Sequence, residues 1–227
     1  MKYFPLIAKT KPKSYLVIPL VLHLLLTVAH ASTNAYEELY RRPFYLGFIT
    51  GYGSTTWQML VPGDTDNDAL IISTPQTVKE GGAIWGFFLG YELMPTFALE
   101  TNYLRYPNAK INFDEMSLVA FEYGLTELVT HTETASLMAK FMVFIPYTAI
   151  RAYSSAGVAG VHRYDQLTNC WRASPTFGLG LNYNFTERVM GEIGLNYTGG
   201  YGESELNPVE NYVPFLYSAF LRFAIRF

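Results

Sequence analysis

One cysteine, Cys170, stands in 227 residues, which excludes an intramolecular disulfide framework and leaves an incidental thiol or an intermolecular pairing. Charge is scarce as well, at 15% Asp, Glu, Lys and Arg against about 25% in ordinary soluble domains. Positive charge is scarcest. Four of the bases, Lys2, Lys9, Lys11 and Lys13, precede residue 32, and residues 32–227 hold 12 Lys and Arg against 19 Asp and Glu, a formal charge of −7. That balance excludes nucleic acid as a partner. Long apolar runs are missing too: after residue 31 no window approaches the roughly 20 continuous apolar residues of a membrane helix. Yet aromatics reach 16%, with 18 Tyr and 16 Phe.

The N-terminal end explains where such a chain goes. The four lysines lead into YLVIPLVLHLLLTVAHA, an apolar stretch closed by Ala29-His30-Ala31, the small-x-small pattern of a signal-peptidase site. Residues 1–31 are predicted to be a secretory signal peptide, with 32–227 as the exported domain; the alternative is an uncleaved anchoring helix. Lipid accepts only helices and closed barrels, because every backbone polar group must be satisfied internally. An apolar, aromatic-rich exported chain without membrane helices therefore points to a barrel.

Periodicity agrees. The last thirteen residues, FLYSAFLRFAIRF, alternate: Phe215, Tyr217, Ala219, Leu221, Phe223 and Ile225 share one face, and Ser218, Arg222 and Arg226 lie on the other. Eight segments behave this way, approximately 44–57, 82–93, 96–106, 128–145, 147–164, 172–185, 188–200 and 211–227, each long enough to span a membrane as a tilted strand. The links at 58–81, 107–127, 165–171 and 201–210 are polar or long; those at Met94-Pro95, Pro146 and Thr186-Glu187 are tight. Strict alternation of long and short links is the asymmetry of an outer-membrane barrel, with outward loops, periplasmic turns and both termini on the periplasmic side. A soluble lipocalin-type barrel would turn its apolar face inward. Here Trp85, Phe87, Leu89, Tyr91 and Leu93 oppose Ile84, Gly86, Phe88, Gly90 and Glu92, and Phe177, Leu179, Leu181, Tyr183 and Phe185 oppose Thr176, Gly178, Gly180, Asn182 and Asn184. The second face is too polar for a soluble core, so the apolar face is assigned to lipid. Tyr91, Tyr183, Phe185, Phe215 and Phe227 then fall at strand ends, as interfacial girdles. The expected fold is an all-β, eight-stranded antiparallel up-and-down transmembrane barrel.

Through FYLGFITGYG, FFLGYELMPTFALETNY across a tight turn, AYSSAGVAGVHR and the terminal aromatic, the sequence from residue 32 onward resembles the OmpA-like eight-stranded outer-membrane barrels. The resemblance implies that the last strand, ending on Phe227, is read by the outer-membrane barrel assembly machinery.

Counting residues from the short turns puts Glu100, Lys140, Glu192 and Arg222 at one height inside the barrel. Glu100 is expected to face Lys140 and Glu192 to face Arg222 across adjacent strands; Arg151 stands at the same height, on a strand too weakly patterned to fix its direction. An eight-stranded interior is just wide enough to be filled by side chains, so these charges are read as a closed ionic plug. A gated ion path is the alternative, since intramembrane ionisable groups suggest function.

His131 and His162 are expected opposite one another at the outward rim, with Glu133 and Asp165 nearby. Histidine with a carboxylate and a serine would equip a lipid A acyltransferase or deacylase, but no serine is clearly placed beside either histidine; rim histidines without catalysis are expected, and two histidines are a poor metal site. DTDND at 64–68 fails as a calcium loop, because Ala69 and Pro75 replace the Gly and Glu of an EF-hand. No cofactor or metal is expected. The expected role is structural or surface-interacting, with outer-membrane lipids and lipopolysaccharide around the wall and a host or surface ligand at the loops; lipid A modification and a narrow pore are the alternatives.

Overall fold

The computed structural model describes residues 42–61, 75–201 and 212–227; the expected signal peptide and the DTDND stretch lie outside them. Eight long strands form the wall: β1 (Phe44–Thr55), β3 (Gly82–Met94), β4 (Phe97–Arg105), β6 (Glu127–Phe144), β7 (Ile150–Tyr164), β8 (Asn169–Asn184), β9 (Val189–Thr198) and β10 (Leu216–Arg226). Each pairs antiparallel with its neighbours in the order β1-β3-β4-β6-β7-β8-β9-β10, and β10 returns to β1 from Tyr45↔Arg226 to Thr55↔Leu216. The sheet is thus closed, and Glu127–Thr130 of β6 run outward past both of its wall neighbours. Two short strands, β2 (Thr77–Lys79) and β5 (Ala109–Asn112), stand outward of the wall, β5 paired to the first residues of β6 and β2 to β5.

The alternation in the sequence becomes the two faces of the wall. On β10, Tyr217, Leu221, Phe223 and Ile225 are exposed on the outside, whereas Leu216, Ser218, Phe220, Arg222, Ala224 and Arg226 are buried inside. The two segments used to assign the faces follow suit: Trp85, Phe87, Leu89, Tyr91 and Leu93 point out, as do Phe177, Leu179, Leu181 and Phe185. A continuous apolar exterior is what a bilayer accepts and water does not, so the barrel spans a membrane. At the end bearing the short turns, Phe44 packs on Tyr91 at 4.6 Å, Phe97 on Phe141 at 5.0 Å and Tyr183 on Phe185 at 4.9 Å, one aromatic girdle. Leu221, at the middle of β10, tests the assignment. Leu221→Arg is expected to cost about 2–4 kcal/mol of barrel stability in phosphatidylcholine vesicles, measured by urea unfolding, because a guanidinium at the bilayer midplane cannot be hydrated.

The short turns are closed by local chemistry. Met94 pairs with Phe97 around Pro95-Thr96. In the turn after β6, Tyr147 takes a left-handed φ of 62° and Thr148 Oγ1 donates to the Ile145 carbonyl at 2.9 Å. After β8, Thr186 Oγ1 accepts from the backbone of Arg188 and Val189 at 3.2 and 3.0 Å.

Two expectations about the outward links need correction. The third is not long: β7 and β8 run on until only 165–168 separate them. Asp165 makes this compact turn, its Oδ1 accepting from the backbone of Leu167 at 2.9 Å and Thr168 at 3.0 Å, an Asx-type substitute for a loop. The first and second links are not plain loops either. They carry β2, β5, a 3-10 turn at Trp57–Leu60 and a helix at Leu118–Tyr123, and with Tyr212 they bury a second apolar core of Trp57, Ile111, Phe113, Val119 and Leu128. The outward end is therefore a folded cap.

Candidate functional site

Inside the wall, side chains stack in tiers. Nearest the short turns, Glu92 receives Arg151 Nη2 at 2.8 Å and Arg226 through both of that residue's terminal nitrogens, Nη1 at 3.1 Å. Arg151 also donates to Asn182 Oδ1, from Nε at 3.2 Å and Nη2 at 2.9 Å. Asn182 in turn donates to Glu192 at 2.8 Å, which ties this tier to the next.

The next tier holds the four residues that the sequence puts at one height. Glu192 lies directly opposite Arg222 in the register of β9 and β10. Lys140 pairs with Glu100 at 3.2 Å and, across the lumen, with Glu192; Arg222 pairs with Glu100 and, at 3.4 Å, with Glu192. Each cation thus touches both carboxylates, so the expected two separate pairs form one ring of four. Tyr45 adds a hydroxyl to Glu100 at 3.1 Å, and its ring fills the space beside Gly90, where a Cβ would meet it at 2.0 Å. Aromatic faces cover the cations: Tyr153 lies 4.1 Å from Lys140 Nζ, and Phe220 and Phe88 lie 4.3 and 5.0 Å from the Arg222 guanidinium. All four charged side chains are buried. Charges so placed are tolerable only when fully paired, and their pairing fixes geometry more than it adds net stability.

Arg151 does not join the ring. It stands at the same height by residue count, but its long side chain reaches down to Glu92 and to the Pro95 carbonyl at 3.4 Å. Glu92 and Arg226, absent from the expected set, complete the lower tier. Both occupy inward positions of alternating strands, so the signal was present.

Outward of the ring an apolar tier of Ile84, Leu104, Tyr106, Val161 and Leu216 is buried, with the half-buried Cys170 packed against it. Above that, the buried Arg163 donates to Asp165 at 2.7 Å and to the Tyr212 carbonyl at 2.6 Å, and lies 4.6 Å from the Trp57 ring. Glu80 fastens this cap to the rim. Its carboxylate accepts from the Trp57 and Gln58 backbone at 2.8 and 3.3 Å and from Thr55 Oγ1 at 2.9 Å.

The histidines are on the outer wall, and they are offset by two residues instead of opposite: Glu133 faces His162, and His131 faces Tyr164. His162 contacts Glu133 through Nδ1 at 3.0 Å and Asn169 through Nε2 at 2.9 Å, and stacks on Trp171 at 4.4 Å. His131 contacts Asn108 at 2.7 Å and stacks on Tyr164 at 4.7 Å. Asp165 serves Arg163 and the turn, not a histidine. A Glu-His dyad can exchange a proton, but acyl transfer also needs a nucleophile, and the side chains bonded to His131 and His162 here are Asn108, Glu133 and Asn169. Among the described residues no three His, Cys, Asp or Glu side chains are placed to hold a metal ion. Phe227, the expected assembly signal, donates its backbone N–H to the Phe44 carbonyl at 3.0 Å, its ring exposed.

No family model matches the chain, and no curated protein matches it. Solved structures do. Neisserial surface protein A is 12% identical over 81% of this chain and 97% of that one, with a TM-score of 0.50. The outer membrane protein OprG of Pseudomonas aeruginosa is 12% identical over 81% and 96%, with a TM-score of 0.48. The N-terminal β-barrel domain of OprF from the same organism is 17% identical over 80% and 97%, with a TM-score of 0.45. At such identities the likeness bears on the fold alone, a closed eight-stranded antiparallel barrel. With its apolar exterior, the chain is an integral β-barrel of outer-membrane type.

Proposed function

We propose that this chain is a sealed, non-catalytic outer-membrane barrel whose working surface is its outward cap. The observation that carries this reading is the filled lumen: two linked ionic tiers, an apolar tier and the Arg163 cap lie in series along one axis. A rigid wall without a channel leaves only its outside for function, and loops on rigid scaffolds are where recognition sits. Export by residues 1–31, reading of the Phe227 strand by the barrel assembly machinery and lipopolysaccharide against the wall belong to the same reading.

Planar-bilayer recording tests it. The purified barrel is expected to show no unitary current steps, and Lys140→Ala is expected to stay silent, because the apolar tier and cap still block the axis. Openings in the wild-type barrel would replace this reading with a channel. Openings only in the variant would make the ring a gate.

A further inference from the structure

The outward side carries the surplus charge. The described parts of connections 56–81, 106–126, 165–168 and 199–215 hold five acids, Glu80, Asp114, Glu115, Glu122 and Asp165, and two bases, Lys79 and Lys110. Their formal charge is −3, and three of the five acids, Asp114, Glu115 and Glu122, lie together in the second connection. The ring and tiers inside the wall are nearly balanced by comparison.

The second connection adds an apolar point to this acidic face. Ser117 caps the Leu118–Tyr123 helix by accepting from the Ala120 N–H at 3.1 Å, and Gly124, at φ 69°, closes its other end. Val119 anchors the helix in the cap core. The opposite side is bare: Phe121 is 89% and Met116 88% exposed, beside Asp114, Glu115 and Glu122. The caps and the buried anchor hold a large aromatic in water on an element too well tied down to fold it away. Exposed apolar groups held in this way mark contact surfaces.

We infer that this tip docks a cationic amphipathic polypeptide, one presenting lysines or arginines around an apolar anchor; the inference rests on the reading that the cap is the working surface. Charge selects the partner. Nucleic acids and sulfated polysaccharides share the sign of this face and are repelled. A second copy would set Asp114, Glu115 and Glu122 against the same three carboxylates. Burying Phe121 in lipid would carry three carboxylates toward the apolar phase, at a prohibitive cost. A small cation would leave Phe121 and Met116 unused.

The test uses the barrel in phosphatidylcholine nanodiscs and an amphipathic helical peptide of Lys and Leu, with binding to empty discs subtracted. Wild-type barrel is expected to bind it, in a salt-dependent way, and not to bind a Glu and Leu counterpart. Met116→Ser/Phe121→Ser is expected to weaken binding about tenfold, the loss of an interface anchor, while binding of polylysine, which has no anchor, is unchanged. Both side chains are in solvent, so the variant folds. Glu115→Gln/Glu122→Gln is expected to weaken both probes several-fold. No binding by the wild type, or equal binding by the serine variant, overturns the inference. So does quenching of a Phe121→Trp variant by brominated lipid, which would assign the tip to the bilayer. Silence in the planar bilayer with no peptide binding rejects this partner alone, whereas current steps reject the sealed barrel beneath it.

Discussion

Lys140→Met is expected to lower the stability of the vesicle-embedded barrel by about 3–5 kcal/mol, the usual penalty for removing one partner of a buried ion pair. Volume is nearly conserved, so the loss is electrostatic. Glu100 and Glu192 both contact Lys140, and both would be left to Arg222. Urea unfolding followed by tryptophan fluorescence in phosphatidylcholine vesicles reads the effect. The double variant Glu100→Gln/Lys140→Met leaves Glu192 with Arg222 one to one, and is expected to be less damaging than the two single losses added together. Strict additivity would mean that the four charges act independently and that the ring is an accident of packing.

Glu92→Gln is expected to cost as much, about 3–5 kcal/mol, by the opposite sign. Arg151 and Arg226 are fully buried and both bind this one carboxylate. A guanidinium does not lose its proton inside a protein, so the variant traps two like charges against an amide and the carbonyls of Asn182 and Pro95. Glu133→Gln, at the half-exposed outer rim, removes a carboxylate that also bonds a tyrosine and a histidine, yet is expected to cost less than about 1 kcal/mol because water screens it. Equal losses for Glu92 and Glu133 in the same unfolding assay would show that burial does not set the penalty.

The wall was legible because a half-buried strand has a period of two, and eight such stretches repeat it from Phe44 to Phe227. Inward positions were legible for the same reason. Which charges meet was less so, because residue counting locates a Cα and a long side chain moves its charge several ångströms away: Lys140 spans the lumen to Glu192, and Arg151 drops a tier to Glu92. The cap was hidden by scale. Strands of three and four residues, such as Thr77–Lys79 and Ala109–Asn112, are too short to show a period, and they form because the end of β6 offers them a free edge. The start of β8 was hidden by its composition, since Asn169, Cys170 and Trp171 read as loop yet pair with Tyr164, Arg163 and His162. Ser117 and Gly124, a cap at each end of one short helix, were visible signals that the length of the link masked.

Two of the four buried cations in the ionic tiers, Arg222 and Arg226, are on β10. Before that strand is in place, Glu92, Glu100 and Glu192 face only Lys140 and Arg151, and the interior is short of positive charge. The last step of closure therefore also neutralises the lumen. A slip of β10 by one residue would reverse its faces and push both guanidiniums into lipid, at about 2–4 kcal/mol for each that reached the bilayer midplane. The seam between β10 and β1 thus distinguishes its own register from its neighbours: the register seen here pairs both guanidiniums with carboxylates.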